Sequence, residues 1–252
     1  MPGSRAPCPS CGRPLSAAAR FCGGCGAAAD GSGDRVDALL KQDLDSRRRL
    51  QCLFTVYGGV FAVLILATLA TRSELADRVA VEVFLPLGFA AVGATAVRAF
   101  GVVAWRATVP LRVTGRGTAE GLLGGLAIWV VGSAYVALLR RLSGSAGGEG
   151  EASSALLLDL FTMAVLPAVL EEWLCRGVLW GSLDGAVAPR PLLLLTALLF
   201  ACLHGLNGAF LFELPHRFAA GLVLGWLRLR SGSLAPCILA HFANNSIAVL
   251  AG

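Results

Sequence analysis

Residues 233–250 read Ser233-Leu-Ala-Pro-Cys-Ile-Leu-Ala-His241-Phe-Ala-Asn-Asn245-Ser-Ile-Ala-Val-Leu250, with no Asp, Glu, Lys or Arg among them. A run of about 18 such residues is what an α-helix needs to cross a hydrocarbon core about 30 Å thick, so this stretch reads as a transmembrane helix. Working outward, comparable apolar segments lie at 50–70, 79–97, 118–139, 155–180, 191–206 and 208–227. Composition points the same way: 56% of the 252 residues are hydrophobic and 15% are charged, with a mean hydropathy of +0.72. Soluble domains carry about 25% charged residues. The expectation is an all-α polytopic membrane protein of about seven transmembrane helices, with the lipid bilayer as its solvent.

The net charge of +5 rests almost wholly on arginine scattered over segment ends and loops. No single basic face with interleaved aromatics forms, so nucleic-acid binding is not expected. Arginine bias in short loops gives orientation instead. With Arg47-Arg48-Arg49 holding the N-terminus in the cytoplasm, Arg106, Arg112, Arg116, Arg190, Arg228 and Arg230 also fall inside. Arg72, Arg78, Arg140 and Arg141 then fall outside, and the Arg140-Arg141 pair runs against the bias. The expected localisation is the cell membrane, multi-pass, with a cytoplasmic N-terminus.

Ahead of the first span, Cys8-Pro-Ser-Cys11 and Cys22-Gly-Gly-Cys25 are each followed by glycine, at Gly12 and Gly26. Four thiolates on two tight turns suit tetrahedral structural zinc, and a segment with so few apolar residues has little else to fold around. Disulfides are the alternative, and a reducing cytoplasm disfavours them. The expected organisation is a zinc ribbon at 1–30 and a polar linker at 31–49 containing a short surface helix. Transmembrane helices follow at 50–142, then a Ser/Gly-rich loop at 143–154 and a four-helix core at 155–252. Cys52, Cys175, Cys202 and Cys237 sit singly in apolar runs and read as packing residues.

Ionisable groups inside a spanning segment cost about 2.5–3.5 kcal/mol each on insertion scales, which makes them candidates for function. The fourth segment contains Leu166-Pro-Ala-Val-Leu-Glu171-Glu172-Trp-Leu-Cys-Arg176. Glu172 and Arg176 stand four apart on one helical face, in the favourable order for an ion pair. Glu171 projects about 100° around the helix, so one carboxylate can be held by arginine while its neighbour faces a cavity and serves as a general base. Phe200-Ala-Cys-Leu-His204 puts a ring one turn before an imidazole, and His241-Phe-Ala-Asn-Asn245 puts an imidazole one turn before an amide. Depth arithmetic at 1.5 Å per residue sets Glu171 and His241 roughly 12 Å below the cytoplasmic interface and His204 at about 20 Å. A water cavity opening to the cytoplasm is expected to reach them. Glu213, His216 and Arg217 form a further polar cluster, read as helix support or a substrate-entry rim.

Glu171-Glu172-x-x-x-Arg176, Phe200-x-x-x-His204 and His241-x-x-x-Asn245, in that order, resemble the three motifs of the CAAX-protease and bacteriocin-processing family. The likeness covers about 156–250, and Gly221-x-x-x-Gly225-Trp and Ser231-Gly-Ser-Leu-Ala-Pro share it. It implies an intramembrane endopeptidase acting on a peptide or membrane-protein substrate in or near the bilayer. Glu171 would activate water with help from His204, and His241 and Asn245 would stabilise the oxyanion. Glu172, Arg176 and Phe200 would support the site. A metal-free site and one with catalytic zinc are both open at this point, the metal-free form being favoured. The cysteine knuckles resemble a zinc ribbon of the CPxCG type, whose use could include docking a protein partner. A non-enzymatic peptide-binding, immunity or transport protein is the alternative, since buried Glu, His, Arg and Asn also build proton relays and binding sites.

Overall fold

The computed structural model describes residues 7–15, 32–70, 83–100, 108–143, 155–204 and 210–251. The chain divides into two compact units, Met1–Arg48 and Arg49–Gly252. Apart from isolated bridges, the described residues are helical, and they contain no strand.

In the first unit, Pro7 and Pro14 pair across a tight turn. The Cys8 N–H donates to the Arg13 carbonyl at 2.8 Å, the Gly12 N–H to the Cys8 carbonyl at 2.9 Å, and Gly12 takes a φ of 73°. That left-handed conformation costs glycine nothing, so the turn can bring Cys8 and Cys11 to its two sides. Cys8 is buried and Cys11 exposed. Cys22 and Cys25 lie outside the described residues. The expected short linker helix is instead part of α1, Ser32–Ala70. No proline or glycine stands between Gly33 and Gly58 to end it, and Asp43 pairs with Arg47 one turn on at 3.0 Å.

In the second unit, α1 is followed by α2, Leu85–Phe100, and α3, Gly115–Ser143. The next helix, α4, is composite. It is α-helical at Leu156–Asp159, Leu166–Glu172 and Trp180–Leu183, and π-helical at Leu160–Val165 and Trp173–Leu179. Then come α5, Pro189–Leu203, α6, Phe210–Ser231, and α7, Ala235–Ala251. By length and composition, Asp43–Leu69 and Gly115–Ser143 can cross a membrane; Leu85–Ala99, Pro189–Leu203 and Ala235–Ala251 are shorter apolar helices. The chain is a membrane protein, although several helices are shorter than the sequence segments lead one to expect.

The sequence break at 143–154 corresponds to no division in packing, because α3 is fused to α7 by backbone contact. A Cβ on Gly121 would stand 2.9 Å from the Pro236 carbonyl, and one on Gly125 would stand 2.5 Å from the Ala240 carbonyl. Without side chains at these positions the two backbones approach closely, which is how membrane helices associate where no hydrophobic force draws them together. Since residue 121 meets 236 and residue 125 meets 240, α3 and α7 run parallel. Gly221 against Ala197 and Gly225 against Leu193 make α5 and α6 antiparallel. Gly59 against Val92 and Gly88 against Val63 do the same for α1 and α2.

These directions sort the helix ends. Arg49 donates to the carbonyls of Ser182 and Asp184. The Arg112 N–H donates to Ser233 Oγ at 2.8 Å, and Arg230 meets Glu120 at 3.1 Å. One end of the unit therefore carries Arg49, Arg98, Arg112, Arg116, Arg190, Arg228 and Arg230. The other end carries Arg140 and Arg141.

Replacing Gly125 by Val should drive α3 from α7. An overpacking cost of about 1–3 kcal/mol or more is expected, visible as a lowered unfolding temperature of the detergent-solubilised protein, whereas Gly58→Ala, with open space at its Cβ, should leave that temperature unchanged.

Candidate active site

Two prolines and a run of π-turns shape the site. Pro167 has no N–H to give the Met163 carbonyl one turn earlier, and the turn there opens into the π-helical stretch ending at Val165. The released carbonyl accepts from Asn245 Nδ2 of α7 at 3.0 Å. Pro215 likewise interrupts α6, and the nearby Phe212 carbonyl accepts from Tyr135 Oη of α3 at 2.7 Å. Irregular backbone at membrane depth survives where neighbouring helices satisfy it in this way.

At the centre lies a wholly buried ion pair. Arg176 Nη1 donates to Glu172 Oε1 at 3.0 Å, with both side chains at 0% exposure. Arg176 Nη2 donates to the Gly221 carbonyl of α6 at 2.9 Å, and His241 Nδ1 of α7 reaches the same Glu172 Oε1 at 3.0 Å. Three helices are thereby joined through one carboxylate and one guanidinium. Phe200 closes the group: the Arg176 guanidinium lies 4.6 Å over its ring, His204 is tilted against it at 4.9 Å, and His241 meets its edge at 5.7 Å.

Glu171 points elsewhere. Its side chain, 13% exposed, lines an open cavity of about 1100 Å³ together with His204, His241, Asn244 and Asn245. His204 Nδ1 lies 3.0 Å from the Phe200 carbonyl. A carbonyl only accepts, so Nδ1 carries a proton and the neutral ring presents a lone pair at Nε2. Glu171 Oε2 stands 3.6 Å from that Nε2. Two acceptors thus face each other across a gap too long for a direct hydrogen bond. His241 follows the same logic, with Nδ1–H held by Glu172 and Nε2 the remaining ring nitrogen.

The structure brings together Glu171, Glu172, Arg176, Phe200, His204, His241 and Asn245. His204 lies level with Glu171 rather than deeper, its Nε2 standing 3.6 Å from the Glu171 carboxylate. Sequence reasoning missed Asn244, whose Nδ2 donates to Asn245 Oδ1 at 2.8 Å, and the whole wall formed by α3. Trp129, Gly132, Ser133, Val136 and Ala137 supply that wall, and Gly132 lets the His216 ring pack against the helix backbone. The available signal was the spacing Gly117, Gly121, Gly125 and Gly132 along one face. His216 and Arg217 also reach the cavity, so all three histidines of the chain line it. Among the described residues, no three His, Cys, Asp or Glu side chains converge as a metal site would require.

The cavity extends to the ends of α3 and α7. Its outer lining is Arg140, Arg141, Ala248 and Ala251, from the ends of α3 and α7 remote from the arginine-rich end.

A helical bundle with a carboxylate and histidines around an open cavity has the makings of a membrane hydrolase. Comparison with known proteins narrows the class: residues 153–247 match the family model described as type II CAAX prenyl endopeptidase Rce1-like. The match covers 95 of the 252 residues, so this segment is similar to a family of membrane endopeptidases. No curated protein and no solved structure matches the chain.

Removing one partner of a buried ion pair costs about 3–5 kcal/mol, because the other charge is left uncompensated. Glu172→Ala should accordingly lower the unfolding temperature in detergent sharply, while Glu171→Ala, at the cavity wall, should leave it nearly unchanged. Equal loss in both variants would contradict the division of labour between the two carboxylates.

Proposed function

We propose that the chain is an intramembrane endopeptidase in which Glu171 and His204 hold a water molecule between them and Glu171 takes its proton during attack on a peptide carbonyl. The observation that carries this reading is the 3.6 Å gap between Glu171 Oε2 and His204 Nε2, opening on the cavity. An ionised carboxylate and an imidazole lone pair are both acceptors, and one water has two hydrogens to give them. Its oxygen lone pair is then free to attack. As the C–O bond forms, the proton passes to Glu171, which returns it to the departing amine nitrogen as the C–N bond breaks.

The tetrahedral intermediate needs donors for its oxyanion. Asn245 spends one N–H on the Met163 carbonyl and has a second to offer. His241 donates from Nε2 when that nitrogen also carries a proton, and Glu172, at Nδ1, fixes the orientation of the ring. Arg176 and Phe200 keep this assembly in place. Each step uses protein groups and water, so the proposed catalytic site is metal-free. The substrate is a peptide or a segment of a membrane protein that can enter the cavity.

A separate structural zinc is proposed for the first unit, held by Cys8, Cys11, Cys22 and Cys25. Support comes from the turn at Cys8–Gly12, which places Cys8 and Cys11 on a tight backbone bend of the kind zinc knuckles use.

Purified protein in detergent should cleave members of a quenched peptide library. Glu171→Gln and His204→Ala should each lose about 10²–10⁴-fold in rate, the range general-base catalysis supplies, with unfolding temperatures preserved. Undiminished cleavage by folded Glu171→Gln would remove Glu171 from the base role. Elemental analysis of the full chain should find one zinc per molecule, lost in Cys8→Ser/Cys11→Ser, and the cleavage rate should not follow that loss.

A further inference from the structure

We propose that Arg217 is a specificity-determining residue of the cavity, whose guanidinium binds a carboxylate of the peptide about two or three residues from the scissile carbonyl. That the bound peptide is cleaved rests on the reading above; the anion site does not.

Charge is the first observation. Of the residues lining the cavity, three are arginine, Arg140, Arg141 and Arg217, and one is acidic, Glu171, whose carboxylate the proposed reaction uses as a base. Excess positive charge between low-dielectric walls draws anions. Helix register makes Arg217 the deepest of the three. Gly124 packs on Leu227 and Val223, and Gly132 on His216, so α3 and α6 run antiparallel and Arg217 stands near the level of Val131. Gly125 packs on Ala240, which sets His241 near the level of Leu126. These levels differ by about five residues, or about 8 Å at 1.5 Å per residue. An extended peptide covers that distance in two or three residues at about 3.3 Å each. Arg217 also borders a small void lined by Phe200, His241 and Asn244, so it lies beside the catalytic groups.

The second observation is spare donor capacity. Arg217 Nε stands 3.5 Å from Glu213 Oε2, one turn earlier on α6. A charge-assisted bond of this kind is about 2.7–2.9 Å long, and the buried Nε makes no hydrogen bond among the described residues. Glu213 does not line the cavity, whereas Arg217 does and its side chain is 31% exposed. A guanidinium has five N–H donors in a planar fork that matches a carboxylate. Glu213 therefore steadies the cation and leaves donors for a ligand. Arg176 cannot play this part, being at 0% exposure and bound to Glu172 and the Gly221 carbonyl. The carboxylate can be an Asp or Glu side chain or the peptide's own C-terminus, since the recognising chemistry is the same.

The test measures fluorescence polarisation on the full chain in detergent carrying Glu171→Gln, which holds peptides without cutting them. The probes are fluorescein-labelled Leu-Ala-Leu-Ala-Ala-Ala-Glu amide, its Gln counterpart, and the all-Ala version ending as a free acid or as an amide. At least one carboxylate probe should bind tenfold or more tighter than its neutral partner, and which pair shows the ratio separates side chain from terminus. Adding Arg217→Gln should bring that ratio within about twofold of one, and Arg217→Lys, which keeps the charge and loses the fork, should fall between. Glu213→Gln, which frees Arg217 of its competitor, should raise the ratio, a gain that a merely structural arginine would not give. Equal binding of charged and neutral probes, an unchanged ratio in Arg217→Gln, or a lowered one in Glu213→Gln would overturn the proposal. In the cleaving wild type the same preference should appear in KM. Carboxylate binding without any cleavage would sink the peptidase reading and keep the site; cleavage without preference would do the reverse.

Discussion

One carboxylate, Glu172, sets the terms for everything around it. Buried without solvent, it must be neutralised, and Arg176 one turn later does so. Arg176 then needs further acceptors and takes the Gly221 carbonyl, which α6 can offer because Gly221 packs directly on the backbone of α5. Glu172 has capacity left and takes the His241 ring, binding α7. The pair thus costs desolvation and returns a fixed arrangement of four helices. The adjacent Glu171 gains from this without sharing in it: its backbone is clamped, its carboxylate is not.

The same constraint explains the division between the rigid and the open parts of the site. Phe200 lies among Arg176, His204 and His241, so the two histidines share a common apolar support while their ring nitrogens point to different partners. A backbone carbonyl fixes one ring and a carboxylate fixes the other. Asn245 is set by a carbonyl that Pro167 leaves free. Orientation in this site comes from buried acceptors behind the functional groups, a requirement of any environment in which water cannot correct a misplaced donor.

Much of this was legible in the sequence, for a particular reason. Glu171, Glu172, Arg176, His204 and His241 stand out because charge and imidazole are rare in apolar helices, and their spacing at one turn needs only the helical period. The unseen parts depend on tertiary direction. Nothing local says that α3 and α7 run parallel in contact, since Gly121 and Gly125 acquire meaning only against Pro236 and Ala240. For the same reason the sequence hid the cavity wall from Trp129 to Arg141.

The lengths of the helices around the site carry a consequence for the lipid. α5 has 15 residues and α7 has 17, spans of about 23 and 26 Å, while α1 and α3 are 39 and 29 residues long. A hydrocarbon layer of about 30 Å overreaches this pair, and α2, at 16 residues, as well. Lipid must compress there, at a fraction of a kcal/mol per Å, while the long helices accommodate full thickness by tilting. Thinner bilayers should therefore hold the protein with less strain. Membrane thickness becomes a variable that sorts the molecule between compartments and shortens the path by which water and a peptide reach the buried carboxylate.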